Sequence, residues 1–193
     1  MECKEITDIP VLYINLDHHT VKKNRVEAAL KEYGFKNITR VPGVSANSPV
    51  IGCALAHVNA LQKMKPPFII LEDDALLHFQ DFFEVPKDAD AVYLGVSTWG
   101  REGGKSGPFT KHTKAGVGVS RVYNMLSAHA ILYLTEEYVE ASIVATQKGA
   151  DLDDFHDIYY AEDLQPNFTV YALDKPLFYQ TSSTEATVHP LTN

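Results

Sequence analysis

The 193-residue sequence has only two cysteines, one tryptophan and fewer basic than acidic residues, 17 against 25. Each shortage removes a class of protein. Cys3 and Cys53 supply neither a disulfide framework nor a cysteine-rich zinc site, which sets aside a small secreted scaffold. The net charge of -8 argues against a nucleic-acid backbone or an anionic membrane as the main partner. No apolar run approaches the length of a membrane span, and the charged start Met1-Glu2-Cys3-Lys4-Glu5 lacks an apolar signal core. The expectation is a cytoplasmic protein with no nucleic-acid partner and no membrane span. In that setting the Asn-x-Thr matches at Asn37 and Asn167 read as chance. No repeat, low-complexity tract or dividing linker is visible, so residues 1–193 read as a single domain.

The apolar segments that are present are short and regularly punctuated. Val11-Leu12-Tyr13-Ile14 ends abruptly at Asn15-Leu16-Asp17, which reads as a buried parallel strand with a polar carboxyl end. Thr20 reads as the cap of a helix that turns Val26, Ala29, Leu30 and Tyr33 inward and stops at Gly34. A strand over 38–41 closes at Pro42-Gly43. Ser48-Pro49 then opens a helix with Ile51, Ala54 or Leu55, Val58 and Leu61 facing the core, and Pro66-Pro67 stops it. Phe68-Ile69-Ile70-Leu71 is the most strand-like segment, and Ala91-Val92-Tyr93-Leu94 adds another buried strand. From Ser97 to Gly118 a stretch rich in Gly, Lys and Ser reads as a long functional loop, with the sheet resuming over 122–126. Thr135 caps a helix to about Gln147, Gly149 lies just past its end, and strands follow near 169–172 and 177–179. The alternation predicts an α/β fold with a mostly parallel central sheet flanked by helices.

Ligands of open α/β sheets bind at the carboxyl ends of the strands. Two strands here end in carboxylates, one at Asp17 and one at Glu72-Asp73-Asp74. Three adjacent acids repel, and alternation in an extended segment turns Glu72 and Asp74 to the same side. A solvated acidic turn is the plain reading. The functional one is a site for a hard divalent cation, Mn2+ or Mg2+. Such an ion bridges a diphosphate, which lets an acidic protein handle an anionic donor. Glycosyl transfer from that donor passes through an oxocarbenium-like centre and needs a carboxylate to activate the acceptor hydroxyl. Asp151, Asp153, Asp154 and Asp157 are the candidates, with helix capping as their alternative use.

Several segments together resemble glycosyltransferase family 25, the lipopolysaccharide-type and collagen-type sugar transferases. Tyr13-Ile14-Asn15-Leu16-Asp17, followed by a helix with Lys22, Lys23 and Arg25, resembles that family's first strand and donor-side helix. Ile51-Gly52-Cys53-Ala54-Leu55-Ala56-His57 resembles its Gly-Cys-x-x-Ser-His helix, with Ala56 where serine is usual. Ile70-Leu71-Glu72-Asp73-Asp74-Ala75 is similar to its acidic metal motif, and Tyr93-Leu94-Gly95 and Pro176-Leu177-Phe178-Tyr179-Gln180 to further landmarks. The strong matches lie in the first half of the chain. The small transferases of large algal viruses are a second similar group, whose setting would be the host cytoplasm.

The resemblance implies a GT-A-type nucleotide-diphospho-sugar transferase fold, a UDP-sugar donor, Mn2+ or Mg2+, and inversion at the anomeric centre. It implies a hydroxyl of a glycan or glycoprotein as acceptor. On matching positions, Asn15, Leu16 and Asp17 would border the nucleotide with Arg25 nearby, Glu72 or Asp73 would meet the ribose, and Asp74 the metal. Ala150-Asp151-Leu152-Asp153-Asp154 replaces the family's Pro-Val-Asp segment, so the base stays open among Asp153, Asp154 and Asp157.

Other residues have two uses each. His57 reads as a helix-packing histidine before it reads as a ligand, and His129 as buried or cleft-facing. His189 is a candidate to complete the metal shell with Glu72 and Asp74, and Trp99 to stack on a sugar or uracil ring. Arg101, Lys105, Lys111 and Lys114 are candidates to clamp the diphosphate, or a solvated basic loop. Two other functions compete with glycosyl transfer. One is a metal-dependent nucleotidyl or phosphoryl transferase, although Asn15-Leu16-Asp17-His18-His19 lacks a Gly-rich phosphate loop. The other is a non-catalytic sugar-nucleotide-binding domain.

Overall fold

The computed structural model describes residues 6–78 and 83–180. Cys3 and His189 lie outside the described residues. β1 (Val11–Asn15) and β3 (Phe68–Glu72) are buried on both faces, as their uninterrupted apolar runs require. β2 (Ile38–Pro42) and β3 both pair in parallel with β1, which sets Ile14 level with Glu72 and Asn15 level with Pro42. The carboxyl ends of β1 and β3 therefore meet at one edge of the sheet.

The sheet is completed by β5 (Ala91–Tyr93), β8 (His112–Gly116), β9 (Val119–Val122), β10 (Ala130–Tyr133) and β11 (Val170–Leu173). Its eight strands run in the order β2-β1-β3-β10-β5-β11-β9-β8. β10 and β9 oppose their neighbours while the other six strands share one direction, so three of the seven pairings are parallel and four antiparallel, and the sheet is mixed rather than mostly parallel. Two small ribbons lie outside it: β4 (Ala75–Leu77) with β12 (Phe178–Gln180), and β6 (Gly100–Glu102) with β7 (Lys105–Gly107).

Side-chain alternation along the strands divides the core in two. Leu12, Ile14, Phe68 and Ile70 enter one cluster, while Val11, Tyr13, Ile69 and Leu71 enter the other. The first is covered by α2 (Pro49–Leu61), α3 (Glu136–Leu152) and α4 (His156–Tyr159), which continues as a π-helical turn over Tyr160–Leu164. The second is covered by α1 (Thr20–Tyr33) through Val26 and Leu30. Leu12, Ile70 and Leu71 are fully buried, so truncating any one to alanine should cost about 2–5 kcal/mol. The α/β class expected from the sequence is the class observed. No helix among the described residues is long and apolar enough to cross a membrane.

Several local expectations are corrected. Thr20 is the first residue of α1, not its cap; His19 occupies the cap and makes no side-chain cap bond. Ser48 does cap α2, accepting from Val50 N, and Ala54 rather than Leu55 takes the buried position. The stretch from Ser97 to Gly118 is not one irregular loop, because β6, β7 and β8 fold within it. The sheet resumes at His112 with β8 and continues through Val119–Val122, instead of over 122–126. β10 was not foreseen, since Ala130–Tyr133 is too short to declare its period.

Gly149 does not end α3, which runs on to Leu152 and stops at Asp153 in the left-handed region. Its lack of a side chain serves packing instead. A Cβ there would stand 3.0 Å from both Asp154 O and His156 Cα, so glycine lets α4 fold back tightly against α3. That return is what carries Asp157 toward the sheet edge.

Candidate functional site

At the shared edge of β1 and β3 lies a cavity of about 500 Å3, a size that suits a nucleotide-class ligand. Asn15, Lys22, Gly52, Cys53 and His57 line it together with the acidic turn Glu72-Asp73-Asp74. The turn forms because β3 loses its partner after Glu72, whose N–H still donates to His129 O at 2.9 Å. The three acids then take three different environments.

Glu72 is gripped from both sides. Its Oε1 accepts from His57 Nε2 at 3.2 Å and lies 3.8 Å from Cys53 Sγ, while Oε2 accepts from Gln180 Nε2 at 3.1 Å. Burial by itself would raise this carboxyl, but the His57 hydrogen bond and charge outweigh it and bring the group down to about 2. Nearby His129 and His156 help only when protonated, and burial holds both below the usual histidine range, His156 at about 3.

Asp73 is a latch. Asn15 Nδ2 donates to its Oδ2 at 2.7 Å, Lys22 Nζ to its Oδ1 at 3.1 Å, and Arg25 reaches its backbone carbonyl at 3.5 Å. Asp74 faces the cavity more openly, with Lys22 Nζ 4.0 Å away. Burial and then the charge on Glu72 push its carboxyl up to about 6. Asp157 behaves alike, raised to about 6 by burial first and Glu72 second. The Cys53 thiol is pushed up by burial and by Glu72, Asp157 and Asp74 together, which places all four groups within one electrostatic neighbourhood.

Of the residues expected to bind the donor, Asn15, Leu16, Glu72 and Asp73 line the cavity. Asn15 is only 1 % exposed, because its Oδ1 also accepts from Arg40 Nε at 3.0 Å. Asp17 does not line it; its side chain is 86 % exposed and pairs with Arg40 at 2.6 Å. Arg25 touches only the back of the acidic turn. Trp99 is 53 % exposed and outside the cavity lining, held by its carbonyl to Leu126 N.

The candidate bases separate in the same way. Asp153 is the exposed cap of α3, and Asp154 accepts from its neighbour Phe155 N at 2.8 Å and from Tyr159 OH at 3.4 Å. Asp151 accepts from Gln147 on its own helix. Asp157 alone of the four shares the neighbourhood of Glu72. The basic residues of the β6–β8 region are engaged locally: Arg101 with Glu162, Lys111 with Glu102 and Lys114 with Asp174. His129 is a packing residue, with Nδ1 at 3.1 Å from Ser127 Oγ and Nε2 at 3.4 Å from Phe178 O.

Sequence reasoning overlooked the cavity wall formed by α2. Cys53 and His57 are one turn apart and present the same face to Glu72, a relationship their i,i+4 spacing already contained. His156, tilted at 45° against His57 with ring centroids 4.5 Å apart, carried no signal, because its partner comes from a distant helix.

Neither a family model nor a curated protein matches the chain. Among solved structures it is similar to a nucleoside-diphosphate-sugar pyrophosphorylase from Vibrio cholerae RC9, at 11% identity and a TM-score of 0.48, over 89% of this chain and 75% of that one. It is also similar to a CTP:phosphocholine cytidylyltransferase from Streptococcus pneumoniae, at 13% identity and a TM-score of 0.41, over 94% of this chain and 76% of that one. Likeness of this degree speaks to neither substrate nor reaction.

Proposed function

We propose that the cavity takes a nucleoside diphosphate sugar and that the chain transfers its glycosyl group to a hydroxyl acceptor. The observation that carries this reading is Asp157. Asp157 does not line the cavity, but its carboxyl, raised to about 6 by burial and by the nearby charge of Glu72, has the basicity to accept a proton from a hydroxyl nucleophile near neutral pH. A phosphate nucleophile is already ionised and needs no such group.

The donor set fits a hard divalent ion, Mn2+ or Mg2+. The repulsion that raises Asp74 beside Glu72 is what a dication relieves, and the ligands are carboxylate oxygens. Asp74 and Glu72 would hold it, and when bound it neutralises charge on the leaving diphosphate. The chain's own residues do the rest. Lys22, tethered to Asp73, offers its ammonium to the phosphates at the amino end of α1. Asn15 and Asp73 fix the two strand ends between which the nucleotide rests. Asp157 takes the acceptor proton as the acceptor oxygen bonds to the anomeric carbon and the carbon–oxygen bond to the diphosphate breaks. A single displacement of this kind inverts the anomeric centre. Family 25, with a UDP-sugar and a glycan or glycoprotein acceptor, is the grouping that the sequence resemblance favours.

Nucleotidyl transfer is the second reading, and a different observation favours it. His19 and Lys22 meet Asp73 at one end of the cavity, at 3.7 and 3.1 Å, a corner with one ammonium and one imidazole that also suits a triphosphate. Such an enzyme makes a nucleotide-activated compound where the first consumes one. One experiment tests both: a panel of nucleotide sugars and nucleoside triphosphates incubated with the protein and Mn2+, products resolved by chromatography. Release of nucleoside diphosphate from a nucleotide sugar supports glycosyl transfer. Release of pyrophosphate from a triphosphate with a sugar phosphate overturns it in favour of nucleotidyl transfer.

A further inference from the structure

Cys53, His57 and Glu72 gather on the cavity wall with the ligand types of a softer metal site. Their ligand atoms all lie within 4.8 Å of one another. Oε1 of Glu72 is 3.2 Å from His57 Nε2 and 3.8 Å from Cys53 Sγ. A tetrahedral ion with ordinary zinc–nitrogen, zinc–oxygen and zinc–sulfur bonds needs its ligand atoms roughly 3.3–3.6 Å apart, so only small side-chain adjustments separate this arrangement from a closed site. The backbone is already placed. Cys53 and His57 stand one turn apart on α2, and Glu72 ends the strand that α2 covers.

A second observation points the same way. His57 is 0 % exposed with Nδ1 lacking a hydrogen-bond partner among the described residues, and His156, 5 % exposed and tilted at 45° against it, has Nε2 likewise unsatisfied. Buried imidazoles are usually satisfied by protein or water. Two in contact beside a thiol and a carboxylate crowd several ligand-type atoms into one buried pocket.

We infer that Cys53, His57 and Glu72 bind a zinc-class divalent ion, with the fourth position opening to the cavity that all three residues line. The thiol loses its proton to solvent as the sulfur–metal bond forms, and His57 gives up its Nε2 proton to solvent, so that the neutral imidazole, protonated on Nδ1, donates its Nε2 lone pair. Thiolate and imidazole select a borderline ion over Mg2+, whereas the neighbouring pair of Asp74 and Glu72 offers only hard oxygens; Glu72 is common to both, with Oε1 facing His57 and Cys53 and Oε2 facing Gln180. The inference shares Glu72 with the transferase reading but does not rest on it.

Co2+ titrated into the full chain tests it, because a thiolate-to-cobalt absorption band reports sulfur ligation without any turnover. The band should saturate at one equivalent, persist in Cys3→Ser, vanish in Cys53→Ser and need at least tenfold more Co2+ in Glu72→Gln. A band that is absent, or that follows Cys3, overturns the inference. The unmodified protein gives a check independent of variant folding: Zn2+ should slow iodoacetamide alkylation of Cys53 at least tenfold and Mg2+ should not. Equal rates with the two ions overturn it. A chain that shows the band yet transfers no sugar sinks the proposed function and leaves this site intact.

Discussion

The side-chain amide of Asn15 donates to the Asp73 carboxylate at 2.7 Å and so ties the carboxyl end of β1 to that of β3. The same side chain accepts from Arg40 Nε on β2, which links three parallel strands at the edge where the cavity opens. Asn15→Ala should therefore cost about 1–3 kcal/mol, because a half-buried carboxylate and a half-buried guanidinium each lose a partner. Urea denaturation measures this, and a loss below 0.5 kcal/mol (roughly the scatter of neutral surface changes) would show that the latch is dispensable. Nucleotide affinity should fall alongside.

Asp157 offers a test in which function and stability move in opposite directions. Its carboxyl is raised, so the folded state holds its proton more tightly than the unfolded state does. That contribution to stability is complete below the unfolded value near 4 and is lost as pH rises through about 6. At pH 7.5 without metal, Asp157→Asn should be more stable than the parent by about 1–2 kcal/mol. The difference should shrink as pH falls below about 6 and close near pH 4, where the carboxyl is protonated in both the folded and the unfolded parent. Turnover should fall at least about 100-fold, the usual worth of a general base. Denaturation curves at the two pH values, with kcat measured in parallel, check all three points.

Gly52 tests the shape of the cavity. A Cβ at this position would sit 2.4 Å from Val44 O, against backbone that cannot rotate away. Gly52→Ala should push the 43–46 segment outward, lower stability by about 1–3 kcal/mol and weaken nucleotide binding. Isothermal calorimetry with a nucleoside diphosphate and Mn2+ measures the second effect. Unchanged affinity in the folded variant would place the ligand elsewhere.

Lys22 reaches both Asp73 and Asp74 from α1. Lys22→Met keeps the stem and removes the charge, so diphosphate binding should weaken about tenfold, the loss of one charge-assisted contact. A nucleoside without phosphates should bind the variant and the parent equally. Weakening of both would mean that Lys22 acts through the fold rather than on the phosphates.

The strands that build this site were legible in the sequence because burial on both faces leaves an unmistakable signature. Val11–Ile14 and Phe68–Leu71 have no polar residue to spare, and both end where a polar run begins. Gly34 and Ser48 were legible for the same local reason, since each ends or begins a helix through its own chemistry. β10 was hidden because four apolar residues fit a helix as well as a strand, and its position between β3 and β5 depends on contacts far away in sequence. Gly149 misled because a glycine needed for close packing looks the same as one needed to stop a helix. Among the four acids at and beyond the end of α3, only the fold back of α4 selects Asp157, and nothing in their spacing encodes it. Asp17 was misplaced for the opposite reason: it follows β1 as expected, but Arg40 on the neighbouring strand draws it out to solvent.

Anomalous diffraction from crystals soaked with Mn2+ and a nucleoside diphosphate bears most directly on the cavity's role. The expected map has a single manganese peak bonded to Asp74 and Glu72, the diphosphate lying between it and Lys22, and the nucleoside against Asn15 and Gly52. A nucleotide bound outside this cavity, or a manganese peak away from Asp74 while the nucleotide occupies it, would contradict the proposed site.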